Sequence, residues 1–168
     1  FKQRPSLGDL ERTKQYRTQS LRKSSQESFS SLDDYLKSIN IKVTFKIDDE
    51  NNISRISELT RKTNQFNLTT KRYVERDISS FIESADFKVI SIKVEDKFGD
   101  NGWTGVVILE KTNNTFVIDS FIMSCRIMGR KIEKSIIDYV FSTALKEGIE
   151  YVEASYFETN KNVSLSDF

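Results

Sequence analysis

Alternating apolar and polar positions predict several β-strands. From Ile41 to Ile47 every second residue is apolar, the pattern of a half-buried strand. The segments 87–94, 104–109 and 115–124 are rich in β-branched and aromatic residues and are separated by stretches of turn-forming residues. Because strands joined by such turns usually pair with their neighbours in the chain, these three segments favour an antiparallel meander.

Helical periodicity is clearest from residue 130 to 147, where apolar side chains recur every three or four positions. Gly148 follows as a helix terminator. A strand predicted at 151–157 completes a strand–helix–strand unit, so its pairing with the strand before the helix should be parallel and right-handed. Further helices are predicted at 8–29 and at 53–64. Two more follow predicted N-caps, one after Ser31 and one, at 71–81, after Thr70.

The predicted elements place the chain in the α/β (α+β) class. We expect a mixed, mostly antiparallel central sheet with helices on both faces. Residues 1–40 are polar and basic, and we interpret them as a helical leader that connects to a domain upstream. A mobile basic linker is the alternative. Residues 41–168 form the predicted folded domain.

Composition narrows the function classes. The 168 residues carry a net charge of +1, which gives no indication of a nucleic-acid surface. No apolar run reaches the length of a membrane span, which is about 18 residues. Cys125 is the one cysteine, so no intramolecular disulfide can form, which suits a cytoplasmic protein. The absence of histidine excludes Cys/His zinc sites and Ser-His-Asp triads, and we predict no metal site.

The polar segment Arg61–Arg72 groups three amide side chains around one aromatic residue. The amides are Asn64, Gln65 and Asn67, and the aromatic residue is Phe66. The amides either line a cleft and bind a ligand with amide groups, or cap the preceding helix and attach the loop to the sheet. We expect Phe66 to anchor the loop in the core. Arg72 either binds a phosphate or carboxylate or lies on the surface without a role.

The segment Cys125–Lys131 lies between a predicted strand and the clearest predicted helix. A helix N-terminus presents unpaired N–H groups and a positive dipole end, which suit a phosphate group. Arg126 and Arg130 add positive charge, and Gly129 allows a ligand to approach the backbone closely. The alternative interpretation is a turn without a ligand.

The spacing Arg126-x-x-Gly129-x-Lys131 resembles the pyrophosphate loop of the GNAT N-acetyltransferases. In that family the pattern is arginine or glutamine, two residues, glycine, one residue, and glycine or alanine, so Lys131 departs from it. The resemblance implies a GNAT-like fold and CoA or acyl-CoA as cofactor. It also implies that Asn160 and Asn162, near the next helix start, contact the cofactor. Because the chain ends before the last elements of that fold, we expect the domain to be truncated.

Three segments together resemble the FkbH-like proteins: 61–72, 121–133 (FIMSCRIMGRKIE) and 158–162 (ETNKN). In that family a phosphatase-like domain of the haloacid-dehalogenase (HAD) superfamily precedes a domain with an acyltransferase fold. The upstream domain loads a glyceryl group onto the phosphopantetheine of an acyl carrier protein for methoxymalonyl-type extender units in polyketide biosynthesis. The resemblance therefore implies an acyl carrier protein and an upstream HAD-like domain as partners. The nucleophile motif of the upstream domain is absent here.

Candidate catalytic groups are few. Cys125, beside two arginines, could be a nucleophile, but we expect a buried structural thiol. Asp96, Asp100 and Glu133 are candidate general bases; alternatively, the two aspartates shape a turn and Glu133 stabilises the first turn of its helix. Trp103 packs against a ligand or partner, or within the core.

Three functions compete. The first is an acyltransferase-like domain acting with a carrier protein, with Arg126, Gly129 and Arg130 on phosphate and Asn64, Gln65 and Asn160 on the pantetheine arm. The second is a freestanding N-acetyltransferase that uses acetyl-CoA. The third is a non-catalytic module that docks a carrier protein or positions the upstream domain.

Overall fold

A central six-stranded sheet and five helices make up the part of the chain that a computed structural model describes, residues 7–168 without the side chains of residues 7 and 9. The helices are α1 (Leu7–Glu27), α2 (Leu32–Ser38), α3 (Ile53–Lys62), α4 (Glu75–Glu83) and α5 (Ile132–Lys146). The strands are β1 (Lys42–Ile47), β2 (Phe66–Asn67), β3 (Phe87–Asp96), β4 (Gly99–Thr112), β5 (Thr115–Met123) and β6 (Tyr151–Ala154).

The sheet has the predicted mixed, mostly antiparallel arrangement. Its strand order is β1-β3-β4-β5-β2, and β6 also pairs with β5. Strands β3, β4 and β5 form the predicted meander. The β5–β6 pair is parallel, as predicted for strands joined through α5, with Thr115 opposite Tyr151. A register shift beside Asp119 places a bulge in the middle of β5.

The connection between β3 and β4 is much shorter than predicted. Residues 95–102 were expected to form a turn, but both strands extend until only two residues separate them. The Asp96 carboxylate accepts the N–H of Phe98 at 2.9 Å, which closes this tight turn. The Asn101 side chain donates to the carbonyl of Val94 at 3.2 Å, which ties the two strand ends together.

Helix α4 also differs from its prediction. It begins at Glu75 rather than at Lys71, and the predicted N-cap Thr70 has a left-handed backbone (φ 58°). Asp77 accepts the N–H of Val74 at 2.9 Å and so caps the helix four residues later than expected. Residues 71–74 lie outside the helix, and the side chains of Lys71 and Tyr73 bond to Asp119 in β5.

One face of the sheet is covered by α3 and α4. Apolar side chains of both helices meet alternate residues of three strands, as expected for amphipathic helices on a pleated surface. This core cluster consists of Ile56, Leu59, Ile78, Val89, Val106, Ile108 and Ile122. The opposite face carries equally buried residues, such as Ile90 and Val107, and α5 connects two strands of the sheet with its own buried apolar stripe.

The described chain divides into two compact units. One ends at Lys42 and adds Val94–Gly102; the other consists of Val43–Lys93 and Trp103–Phe168. In the first unit, Arg22 of α1 donates to both carboxylate oxygens of Asp96 at 2.7 and 2.8 Å, and Tyr35 donates to the Arg22 carbonyl at 3.2 Å. The interpretation of residues 1–40 as a connector from an upstream domain stays a prediction, and residues 1–6 lie outside the described part.

None of the helices described here is long and apolar enough to cross a membrane. Within the same residues, no group of side chains has the composition and proximity of a metal site.

Gly148, which ends α5 as predicted, has φ +68°. Gly148→Ala should lower the free energy of unfolding by about 1 kcal/mol, because a Cβ disfavours this left-handed conformation even where it meets no other atom. Gly148→Asn should lose less, since asparagine tolerates the conformation. Urea denaturation measures both, with the exposed Ser142→Ala in α5 as control. An unchanged urea midpoint in Gly148→Ala would contradict this role.

Candidate functional site

The segment Phe66–Thr69 forms a wedge between β5 and the chain that follows β6. On one side, Phe66 pairs with Met123, and Leu68 donates its N–H to the Phe121 carbonyl at 3.2 Å. On the other side, the Leu68 carbonyl accepts the N–H of Phe157 at 2.9 Å. Leu68 therefore bonds both to β5 and to the chain after β6. The wedge joins these two stretches, whose direct pairing ends at Ala154.

The wedge occupies the outer edge of β5. Residues 115–118 of that edge pair with β6, and residues 122 and 123 pair with β2. Between them, the Asp119 carbonyl accepts the Thr69 hydroxyl at 2.7 Å. An extended ligand with amide groups adds to a sheet only where an edge is open. In this conformation a pantetheine arm therefore cannot pair with β5.

Two buried asparagines hold the wedge in place. The Asn67 amide donates to the Thr63 carbonyl at 3.2 Å, and its oxygen accepts the N–H of Thr70 at 2.9 Å. The Asn162 amide donates to the carbonyls of Asn67 and Phe157 at 2.9 and 3.0 Å. Both side chains are fully buried, so the loop-attaching interpretation holds for Asn67. Asn162 likewise presents no accessible atom to a cofactor.

Phe66 anchors the wedge in the core, as expected. It is buried, and its ring lies edge-on to Phe121 and Phe168 at centroid distances of 5.0 and 5.2 Å. Gln65, beside it, is exposed.

A cavity of about 300 Å³ lies between the loop after α3, which contains the wedge, and the chain after β6. It brings together Asn64 and Asn160, both predicted to contact a ligand, although they are 96 positions apart in the sequence. Neither Gln65 nor the turn before α5 contributes to its wall. The wall consists of Asn64, Thr70, Arg72, Thr159, Asn160 and Lys161.

Arg72 connects this cavity to the end of α3. Its Nη1 donates to the carbonyls of Thr60 and Thr63, the latter at 2.9 Å, and its Nη2 donates to Oδ1 of Asn64. These carbonyls lie at the negative end of the helix dipole, where a cation is favourable. The guanidinium is therefore held in the cavity wall, although Arg72 is exposed as the alternative interpretation expected, and its role in ligand binding stays a prediction.

The turn before α5 combines tight backbone geometry with exposed charge. Ser124 donates its N–H to the Thr104 carbonyl at 2.7 Å, and a short 3₁₀ turn follows. Gly129 (φ 75°) and Lys131 (φ 55°) both have left-handed backbones. Lys131 provides no side-chain cap for α5, so the first N–H groups of the helix have no side-chain acceptor from this position.

The two arginines of this turn differ in exposure. Arg126 is exposed, whereas Arg130 is buried and its Nη2 donates to the Arg126 carbonyl at 2.5 Å. Arg130 therefore holds the turn together, and Arg126 offers its charge to solvent. Cys125 is also exposed, so the expectation of a buried structural thiol is wrong. The residue lies in the 3₁₀ turn after β5, where its side chain faces outward rather than into the core.

The candidate carboxylates have structural partners. The Asp96 side chain is 0% exposed and is held by Arg22, which leaves it without access to a substrate. Asp100 accepts the N–H of Gly102 at 2.7 Å and so shapes its turn, as the alternative interpretation expected. Glu133 lies in the first turn of α5 and is partly exposed.

Trp103 makes a cation–π contact within the protein. The Nζ of Lys46 lies 5.5 Å from the centroid of its ring.

The sequence analysis missed a buried polar cluster at the bulge of β5. The Asp119 carboxylate accepts hydrogen bonds from Lys71 Nζ, from Tyr73 Oη at 2.8 Å and from the Ser120 hydroxyl at 2.9 Å. Asp119 is only 6% exposed, so these donors replace the water that it loses. A carboxylate within the otherwise apolar run 115–123 was the signal in the sequence that could have revealed this cluster.

Burial and the Asp119 hydrogen bond raise the pKa of Tyr73 well above its ordinary value. Both effects favour the neutral phenol, burial because the phenolate is poorly solvated and Asp119 because it repels a second negative charge. Tyr73 is therefore a hydrogen-bond donor, and not a base, throughout the physiological pH range.

No protein-family model and no curated protein sequence matches this chain. Solved structures do match. The ribosomal-protein-alanine N-acetyltransferase from Brucella melitensis biovar Abortus 2308 aligns with a TM-score of 0.56 and 13% identity, over 71% of this chain and 83% of the other. The ribosomal-protein-S18-alanine N-acetyltransferase from Escherichia coli aligns with a TM-score of 0.56 and 7% identity, over 71% and 70%.

A third similar structure contains coenzyme A. The PaiA N-acetyltransferase from Thermoplasma acidophilum, in complex with coenzyme A, aligns with a TM-score of 0.52 and 16% identity, over 77% of this chain and 86% of the other. At these identities the likeness concerns the fold, and it confirms the predicted one. The chain has the GNAT acetyltransferase fold.

Neighbouring asparagines allow a matched test of the wedge. Asn162→Ala should lower the free energy of unfolding by about 1–3 kcal/mol, because it leaves the buried carbonyls of Asn67 and Phe157 without these donors. Asn160→Ala should change it by less than about 0.5 kcal/mol, since Asn160 is exposed. Chemical denaturation compares the two variants. Equal losses would mean that Asn162 does not hold the wedge.

The raised pKa of Tyr73 predicts a loss of stability in alkali. The folded protein holds the phenol proton of Tyr73 more tightly than the unfolded chain does, in which tyrosines titrate at about pH 10. The stabilisation is therefore complete below pH 10 and is lost as pH rises above it. Tyr73→Phe should make the melting temperature fall less steeply as the pH rises above about 10. Tyr151→Phe, at an exposed tyrosine, is the control and should follow the wild type.

Proposed function

We propose that this domain transfers an acyl group from a phosphopantetheine thioester, with free acyl-CoA as the donor. The observation that carries the proposal is the turn between β5 and α5, where an exposed Arg126 and a left-handed Gly129 precede a helix without a side-chain cap. The GNAT-like fold and the resemblance of this turn to a pyrophosphate loop support the same function.

The residues present fit a pyrophosphate group at this turn. The first N–H groups of α5 point out of the helix end and carry its positive dipole. Arg126 can donate charge-assisted hydrogen bonds, and Gly129 has no side chain to obstruct the backbone. Lys131, which departs from the family pattern, is exposed and adds a second cation at the same end of the helix.

Acyl-coenzyme A, when bound, would supply the thioester, whose carbonyl carbon would be attacked by an acceptor amine. The new C–N bond replaces the C–S bond, the amine loses a proton, and the sulfur leaves as a thiol or thiolate. The part of the chain that the structure describes contributes phosphate binding at the turn. Because β5 has no open edge, a bound arm would have no free edge of this strand to pair with.

A carrier protein is a second candidate for the donor. The three segments that resemble FkbH-like proteins favour it, and two of them, 61–72 and 158–162, supply all six residues of the cavity wall. A phosphopantetheine arm on a carrier protein has a single phosphodiester, for which Arg126 alone is sufficient. In this proposal the domain lies downstream of a HAD-like domain and receives the acyl group from its carrier.

Calorimetric titration with coenzyme A tests the phosphate site. The wild type should bind with a dissociation constant in the micromolar range. Arg126→Ala should weaken binding about tenfold or more, because a charge-assisted hydrogen bond contributes about 1.5–3 kcal/mol. Lys146→Ala removes an exposed cation at the opposite end of α5 and should have no effect.

Two outcomes would contradict the proposal: a folded wild type without binding heat, or equal losses in Arg126→Ala and Lys146→Ala. The donor is then identified by comparing the release of free thiol from acyl-CoA and from an acylated carrier protein. Faster release from the carrier would favour the second candidate.

A further inference from the structure

The cavity wall is positively charged and polar. Among the described residues that line it, two are cations, Arg72 and Lys161, and none is a carboxylate. The other four contribute two amides and two hydroxyl groups, which donate hydrogen bonds readily. A neutral pantetheine arm needs amide partners but no cation. The two positive charges therefore indicate a ligand with a negative charge.

Arg72 is held by hydrogen bonds to the protein that use only some of its N–H donors. A guanidinium has five N–H groups, and within the described part of the chain Arg72 uses three of them, toward the carbonyls of Thr60 and Thr63 and the Asn64 side chain. Two N–H groups remain for a ligand. Because the guanidinium is already held by the protein, a ligand would not have to order it, which favours binding.

Lys161 is on the opposite loop, and that loop is also ordered. Oδ1 of Asn162 accepts the N–H of Thr159 at 2.6 Å and its hydroxyl at 2.9 Å, and Asn162 is itself fastened to the wedge. Lys161 is exposed, and its N–H donates to the Thr159 hydroxyl at 3.3 Å. The cavity thus has one cation on each of two anchored loops.

We propose that this cavity binds the carboxylate or phosphate group of a small organic molecule. Its volume of about 300 Å³ lies at the lower limit of small-molecule sites, so the ligand is compact. Arg72 pairs with the oxyanion through its two remaining N–H groups, and Lys161 neutralises it from the other side. On the basis of the proposed acyl transfer, this molecule is the acyl acceptor.

Nuclear magnetic resonance titrations with inorganic phosphate and with acetate test the anion site directly. Saturable shifts should occur at the backbone amides of Asn64, Thr70, Arg72, Asn160 and Lys161. Lys161→Gln should weaken binding of the better anion about threefold to tenfold, because glutamine keeps a hydrogen-bond donor but removes the charge. Lys146→Gln, at an exposed lysine outside the cavity, should leave the affinity unchanged. The preferred anion distinguishes a carboxylate from a phosphate ligand.

Arg72→Lys provides a second variant that keeps the charge but removes the planar fork. It should weaken binding while the circular dichroism spectrum stays that of the wild type. The proposal fails if the shifts are absent or spread over the whole surface, or if Lys161→Gln and Lys146→Gln behave alike. Arg126→Ala should retain anion binding at the cavity, so a failed coenzyme A titration would leave this result intact.

The acceptor assignment is tested with matched pairs of amines, such as β-alanine and ethylamine, which differ by one carboxylate. Lys161→Gln should raise the KM for the carboxylated amine about tenfold or less and leave the KM for the other unchanged. Equal changes for both members of a pair would overturn the acceptor assignment. The same assay with a phosphorylated amine covers the case in which phosphate is the better anion.

Discussion

The wedge Phe66–Thr69 is the feature on which the rest of the site depends. β5 and the chain after β6 diverge beyond Ala154, and buried backbone groups there would lack partners if nothing filled the gap. Leu68 satisfies both sides at once, and Asn162 adds a side-chain bond to the same segment. A single two-residue strand with its flanking residues thereby completes the sheet.

The wedge also determines where the charged groups lie. It fixes the ends of the two loops that follow α3 and β6, and so sets the distance between Arg72 and Lys161. On its far side, Thr69, Lys71 and Tyr73 all bond to Asp119 at the bulge, which ties residues 69–73 to β5. The cavity is consequently formed by the protein's own contacts. The same contacts occupy the outer edge of β5, so this edge is closed to a ligand.

The two candidate binding features differ in chemistry. The turn before α5 offers backbone N–H groups and an exposed Arg126, which suit the phosphate end of a cofactor. The cavity offers a fixed guanidinium and an ammonium group, which suit a compact anion. A donor at the first and an acceptor at the second would give a two-substrate domain in which each ligand has its own cation.

The sequence by itself determined five of the six strands, the helices and the order in which they are connected, because apolar periodicity and Gly148 act locally. The two-residue strand β2 is too short to show such a pattern. The same local pattern gave the fold class, and it is also the basis of the phosphate site proposed for the turn before α5. Contacts between distant residues decided the rest. Asn67 and Asn162 became structural because they meet across 95 positions, α4 began late because Asp119 holds Lys71 and Tyr73, and Arg72 and Lys161 share one cavity because the wedge joins their loops. No local pattern encodes such pairings, since each depends on how the completed sheet brings the segments together.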